Sequence, residues 1–587
     1  MTSLSSPASS SSSFAPTAVL APAPTEPAEL DRLIERVAGN ARRFARTSAR
    51  DKAALLGDVR ARFYELAPRM VELACRAHGI EPDSTIAGEQ WFSGPAVSLR
   101  ALRLFQRSLE DLAGGGTPRL PEPFGRSPDE RLTVPMLPFD DYDRALFLGF
   151  RCDTWLESGV TARRVREEQA RFYRASPGEG HVALVLGAGN VASISVLDVL
   201  YHSFVEGGVC LLKMNPVNAY LGPLYEQAFA PLTERGFLAF VYGGAETGAR
   251  LVEHAGVDTV HLTGSVDTHD RIVWGPPGEE RERLKREGRP LLRKPVTSEL
   301  GNVTPALVVP AHYTDRELDR VARAVAGMVI NNASFNCIAL KLLVTAREWP
   351  QREELLARIE RALAAEPTRV AYYPGAADRY QRLVRSADPD SVSAFGEASL
   401  GHLPWTLIRD VDPEARSPLF EVEPFCSLLS ETAIGAESAA EFLAAGVRFV
   451  NERVFGTLNA LLFVPDSVRG DIEAARALDR ALVELHYGTV GVNVWPGVGY
   501  GLGSPVWGGA PGATLADAQS GLGWGHNSAM LEHVHKVVLQ SPLLSFPEPL
   551  WMQGHRQLLD LGRAFSAQEA EPSLLRAGRA AWAGVRA

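Results

Sequence analysis

Cysteine is scarce in this chain: five in 587 residues, at positions 75, 152, 210, 337 and 426, with no CxxC pair and no histidine cluster nearby. Such spacing excludes a disulfide framework and a zinc-ligand set, so no metal is expected, and unpaired thiols fit a reducing cytoplasm. Most of them should be ordinary buried residues. Positive charge is also in deficit, with 60 Lys and Arg against 70 Asp and Glu. A net charge of −10 argues against a nucleic-acid partner. Long apolar runs are missing. The best candidate, residues 181–200, is broken by Gly187, Gly189, Asn190, Ser193, Ser195 and Asp198, too polar to span a bilayer, so no membrane partner is expected. Residues 1–27 are rich in Ser, Ala and Pro but lack a basic start, a continuous apolar stretch and arginines. They read as a disordered lead rather than a targeting signal.

What is present is ordinary for a soluble globular protein, 45% apolar and 22% charged, and the length calls for two or more domains. From Glu29 to about Leu112 apolar residues recur at helical spacing, and the Pro-rich stretch Thr117 to Pro138 reads as a connector. After Gly178 short apolar runs alternate with helical ones. His181 to Leu186, Val209 to Lys213, Leu238 to Gly243 and Thr259 to Ser265 are strand candidates. The alternation resumes with a strand at Thr304 to Val309, a helix at Asp315 to Ile330 and strands at 340–345, 458–464 and 489–494. This predicts an α/β protein with two doubly wound parallel-sheet domains. The expected division is a lead at 1–27, a helical region and dinucleotide-binding domain at 28–297, a catalytic domain at 298–505, and a chain return with a helical C-terminal extension at 506–587. Ligands in such sheets sit at the carboxyl ends of the strands, where Gly187, Lys213, Gly243 and Gly264 fall.

The most informative segment is Asn331-Asn332-Ala333-Ser334-Phe335-Asn336-Cys337, with Glu299 lying 38 residues upstream of the cysteine. A thiol nucleophile and a carboxylate base are the two parts needed to pass an acyl group through a thioester. Around them, in order, stand Gly187-Ala188-Gly189-Asn190, Lys213-Met214-Asn215-Pro216, Gly243-Gly244-Ala245-Glu246, Thr263-Gly264-Ser265, Glu299-Leu300-Gly301, Asn451 to Leu458, and Pro505 to Gly509. Together these segments resemble the aldehyde dehydrogenase superfamily, from about residue 28 to about 540.

The resemblance implies a Rossmann-like cofactor domain, a catalytic domain, and NAD or NADP as cofactor. Cys337 would attack an aldehyde, Asn190 and the Cys337 N–H would hold the oxyanion, and Glu299 would activate the hydrolytic water. Lys213 would meet the adenosine ribose or phosphate. Gly187, Thr263, Gly264 and Ser265 would line the dinucleotide. The residue holding the nicotinamide ribose falls on Phe420 or Glu421, depending on register. A homo-oligomer is implied too, its β-hairpin arm near Ala162 to Ser176.

Several positions depart from the family pattern. Gly-Asn-Val at 189–191 looks closer to acyl-CoA reductases, which would add CoA as a partner. Pro216 stands where NAD-preferring members often have Glu. His269 replaces a glycine of the cofactor turn, and a charged insertion lies between Trp274 and Pro295. The leading expectation is oxidation of an aldehyde to a carboxylic acid. The alternatives are CoA acylation and a scaffold that has lost catalysis.

Overall fold

The computed structural model describes residues 19–175, 178–399 and 401–586. Two parallel-rich sheets dominate it. The first runs in the order Gly521–Leu522, Val296–Leu300, Thr259–Gly264, Val182–Leu186, Val209–Lys213, Leu238–Val241, and only the Gly521–Leu522 edge is antiparallel. Val182–Leu186, Val209–Lys213 and Leu238–Val241 are continuous apolar runs buried along their whole length. The chain leaves Val182–Leu186 toward one side of the sheet and later returns on the other. That reversal opens a crevice at the strand carboxyl ends.

The second sheet has eleven strands. Seven parallel ones form its centre, in the order Val534–Gln540, Thr489–Val492, Asn459–Phe463, Pro305–Val308, Leu342–Ala346, Leu428–Ile434, Trp405–Ile408. Antiparallel strands finish both edges. The helix Asp315–Ile330 forms with the expected bounds because Thr314 and Glu317 build a reciprocal capping box. It buries Leu318, Val321, Val325 and Val329 on one stripe.

Four expectations need correction. Glu299 belongs to the first sheet, so the changeover between sheets comes after Leu300 rather than at 297/298. The connector at 117–138 contains the strand Leu132–Leu137, buried at every position except Pro135, whose proline disguises it. The proposed arm, 162–176, carries the helices Ala162–Glu168 and Arg171–Arg174 instead of a hairpin. The hairpin strands are Leu132–Leu137 and Arg151–Leu156, the second of which pairs with Val534–Gln540 of the same chain. Of the expected disordered lead, residues 1–18 lie outside the described residues. Thr25, however, exchanges hydrogen bonds with the Tyr242 backbone, and a helix begins at Pro27.

The C-terminal extension forms the helices Leu558–Ala570 and Leu574–Val585. The first sits so close to the N-terminal helices that a Cβ at Gly88 would lie 2.4 Å from the Leu558 carbonyl oxygen. No described helix is long and apolar enough to cross a membrane.

Candidate active site

A cleft of 1510 Å³ opens between the two sheets. Cys337, Glu299 and Asn190 all line it, together with Gly187, Lys213, Thr263, Gly264, Ser265 and Glu421. These nine residues reach one cavity, although they span 235 positions from Gly187 to Glu421.

Cys337 enters on a tense loop. After the helix Asp315–Ile330 the chain passes through three consecutive non-glycine residues in the left-handed region, Asn332 (φ 51°), Ala333 (φ 52°) and Ser334 (φ 71°). Each costs roughly 1–2 kcal/mol, so the surroundings must hold them. The Asn332 N–H donates to the buried Glu89 carboxylate (3.0 Å), which also accepts from Arg369 (2.8 Å). The Asn332 amide donates to the Asn190 and Phe335 carbonyls, and Tyr372 donates to its oxygen. Beyond the loop, Thr304 and Asn459 donate to the Cys337 carbonyl at 3.1 and 3.2 Å. The nucleophile candidate is thus fixed from both sides.

Glu299 ends the strand Val296–Leu300 and points at this loop. Its Oε1 accepts from the Cys337 Sγ at 3.5 Å. The strand can reach that depth because Gly521 covers its edge. A Cβ at Gly521 would lie 2.0 Å from the Ser298 carbonyl oxygen, and φ there is +122°.

Burial pushes the Glu299 carboxyl up to about 7. Burial and the Glu299 and Glu423 charges push the Cys337 thiol well above its ordinary value. In this state the thiol keeps its proton and leans on a carboxylate able to take it. The Asn190 amide donates one N–H to the Phe335 carbonyl at 3.0 Å, which leaves its second N–H for a ligand.

One pocket group was not singled out from the sequence. Glu423 lies against Gly301, where a Cβ would sit 2.0 Å from its Oε2. Its Oε1 is buried with no hydrogen-bond partner among the described residues. Burial pushes this carboxyl up to about 7 as well. The sequence signal was Glu-Pro at 423–424, obscured by the undecided register of the segment. The structure also separates the two register candidates. Phe420 is buried and packs edge-on against Phe449 (5.2 Å) away from the cleft, whereas Glu421 is half-exposed at its rim, accepting from Arg416 at 2.9 Å.

At the other end, the Lys213 ammonium faces the cleft with no hydrogen bond or ion pair to any described residue, and burial lowers it to about 8. Gly187 is needed for packing, since a Cβ would meet the Ser195 hydroxyl at 2.4 Å. Ser265 caps the helix Val266–Trp274, whose first turn borders the cleft. Thr263 lines the cleft, but its hydroxyl donates to Asp198 at 3.1 Å. His269, which replaces a glycine of the cofactor turn, is fully buried beside Asp270 and does not line the cleft. The charged insertion is the helix Glu279–Glu287, laid on Val273 and Trp274 through Leu284.

Residues 166–372 match the model of the aldehyde dehydrogenase family. No curated protein sequence matches the chain. Among solved structures it resembles an NADP-dependent glyceraldehyde-3-phosphate dehydrogenase from Bacillus halodurans C-125 complexed with NADP. The identity is 17%, the TM-score 0.58, and 88% of this chain and 91% of that one are covered. An NAD-dependent aldehyde dehydrogenase from Sinorhizobium meliloti is 18% identical over 90% and 89% of the two chains, with a TM-score of 0.57. Aldehyde dehydrogenase 21 from Physcomitrella patens, in complex with succinate, is 16% identical over 89% and 92%, also at 0.57.

Proposed function

We propose that the chain is a member of the aldehyde dehydrogenase superfamily, whose family model matches residues 166–372, and that it oxidises an aldehyde to a carboxylic acid with NAD or NADP. The observation that carries this reading is the 3.5 Å contact between the Cys337 thiol and a Glu299 carboxylate held near neutrality at the meeting of two sheets.

The cleft suits a dinucleotide. Lys213 offers an unpaired ammonium to the adenosine ribose or phosphate, and the capped helix start at Ser265 offers backbone N–H groups. Asp267 in that first turn would oppose a phosphate, but Arg271 pairs with it at 2.8 Å. Glu421 stands at the rim as the ribose ligand. Pro216 brings no carboxylate, so a 2′-phosphate is tolerated. Bound NAD(P) would supply the acceptor for the hydride.

In the proposed chemistry Glu299 takes the Cys337 proton and the sulfur forms a C–S bond to the aldehyde carbon. The second Asn190 N–H and the Cys337 N–H stabilise the oxyanion. Loss of hydride leaves a thioester on Cys337. Glu299, its proton released to solvent, then draws a proton from water as hydroxide adds to the thioester. The C–S bond breaks and acid leaves. A base poised beside the sulfur favours water over CoA as acceptor, and a free thiol is best kept in the reducing cytoplasm inferred above.

The test is NAD(P)H fluorescence with an aldehyde panel, with and without CoA, for wild type and Cys337→Ala. Reduction without CoA that disappears in the variant is the expected result. Strict dependence on CoA would replace hydrolysis by acyl transfer to CoA. Absence of cofactor binding would leave the scaffold.

A further inference from the structure

We propose that Lys341 is a positioning residue of the nucleophile loop, its ammonium compensating for a side chain at Ser334, where the left-handed backbone favours glycine. The inference rests on Cys337 as the nucleophile.

Ser334 is the last of the three left-handed residues and has the most positive φ of them, 71°. Its Cβ makes that conformation unfavourable. The strain is met by one side chain seven residues on. The Lys341 Nζ donates to the Ser334 carbonyl at 3.1 Å and to the Ser334 hydroxyl at 2.6 Å. Its third bond, 2.7 Å, goes to the Cys426 carbonyl. All three ammonium donors are thereby used on a lysine only 1% exposed.

This pattern is unusual for a buried lysine, which normally sits against a carboxylate. Here no carboxylate lies within salt-bridge distance among the described residues, and all three acceptors are neutral oxygens. Burial accordingly lowers the ammonium to about 8.

The placement explains why such a group is retained. Ser334 precedes Cys337 by three residues, and Cys426 follows Glu423 by three. Phe425, next to Cys426, is itself left-handed at φ 42°. Lys341 therefore joins two strained segments, one presenting the thiol and the other the second cleft carboxylate. Glu89 and Arg369 hold the loop's entry at Asn332. Among the described residues, only Lys341 holds its exit at Ser334 through a side chain.

If Lys341 acts through Ser334, its importance depends on what stands at position 334. A glycine there removes the strain, and an alanine keeps the strain while removing the hydroxyl acceptor. The full-length chain is compared as wild type, Lys341→Met, Lys341→Arg, Ser334→Gly, Ser334→Ala and the Lys341→Met/Ser334→Gly double variant. The readouts are the rate of iodoacetamide alkylation of Cys337 across pH, with Cys337→Ala as the blank, and kcat and KM for the aldehyde.

Lys341→Met is expected to slow alkylation and kcat roughly tenfold, the rate equivalent of one left-handed residue's strain, with KM little changed. Lys341→Arg should recover part of the loss. The double variant should return to the Ser334→Gly level, and Ser334→Ala should fall below Ser334→Gly. Equal impairment of Lys341→Met and the double variant would overturn the proposal, as would equal rates for the alanine and glycine variants. The latter comparison stands even if Lys341→Met does not fold. Alkylation is read without turnover, so a Cys337→Ala enzyme that still oxidises aldehyde would defeat the nucleophile assignment separately.

Discussion

Two of the acid clusters in this molecule are built on opposite plans. Beneath the C-terminal extension, Asp143 and Glu569 are 0% and 1% exposed and share Arg100, which grips Asp143 through two bonds of 2.8 Å and Glu569 at 2.9 Å. Arg103 adds a second guanidinium to Glu569. Burial alone would raise the Glu569 carboxyl, but Arg103 and Arg100 outweigh it and hold it below its ordinary value. In the cleft, Glu299 and Glu423 have no guanidinium partner and face a thiol. Burial raises both to about 7. Paired charge makes a latch, and unpaired charge makes a set of proton acceptors near neutral pH.

The contrast can be broken in graded ways. The largest effect belongs to Cys337→Ala, expected to lower turnover on the order of 10⁴-fold or more, measured as NAD(P)H production by a chain that still binds cofactor. Glu299→Gln should cost about 10²–10⁴-fold, because thiol attack and hydrolysis both draw on this carboxyl, measured as single-turnover and steady-state NAD(P)H production. Unchanged rates in both phases would remove Glu299 from the chemistry.

On the paired side, Glu569→Gln leaves Arg100 and Arg103 short of an anion, and should destabilise the fold by about 3–5 kcal/mol in urea titration. Little change there would mean the extension is not a latch. Glu423→Gln removes a like charge from the thiol. It should lower the alkylation midpoint of Cys337 by about one pH unit, and a shift upward would contradict the electrostatics drawn here.

The smallest test uses pH alone, since the two clusters have opposite signs. Glu299 has a raised folded value, so its contribution to stability is full below pH 4.5 and is lost as pH rises through about 7. The loss is on the order of 3 kcal/mol, and Glu299→Gln should flatten that part of the melting curve. Glu569 has a depressed folded value, so its contribution holds above pH 4.5 and disappears as pH falls below it. Glu569→Gln should lower stability at neutral pH and show no further loss on the acid side.

Val182–Leu186, Val209–Lys213 and Leu238–Val241 were legible because each is a short, wholly buried apolar run with a glycine or lysine at or near its end. Leu132–Leu137 was not, because a proline inside a strand reads as a loop until the partner strand is known. Cys337 and Glu299 were legible as chemistry. Glu423 was not, because one residue of register decides whether position 420, 421 or 423 turns into the cleft. The hydrogen bond from Thr263 was equally hidden, since it depends on Asp198 arriving from a distant helix.

What the sequence by itself determined is the order of the central parallel strands, the candidates for the reactive groups and the end of each strand where a ligand would sit, all of which follow from local periodicity and residue chemistry. Only the tertiary structure decided which acids are paired and which are not, and how the left-handed loop is held. Those outcomes depend on contacts between residues tens to hundreds of positions apart, as between Arg100 and Glu569 or Glu89 and Asn332. Desolvation and pairing, which set the proton affinities of the site, come into being only when those contacts close.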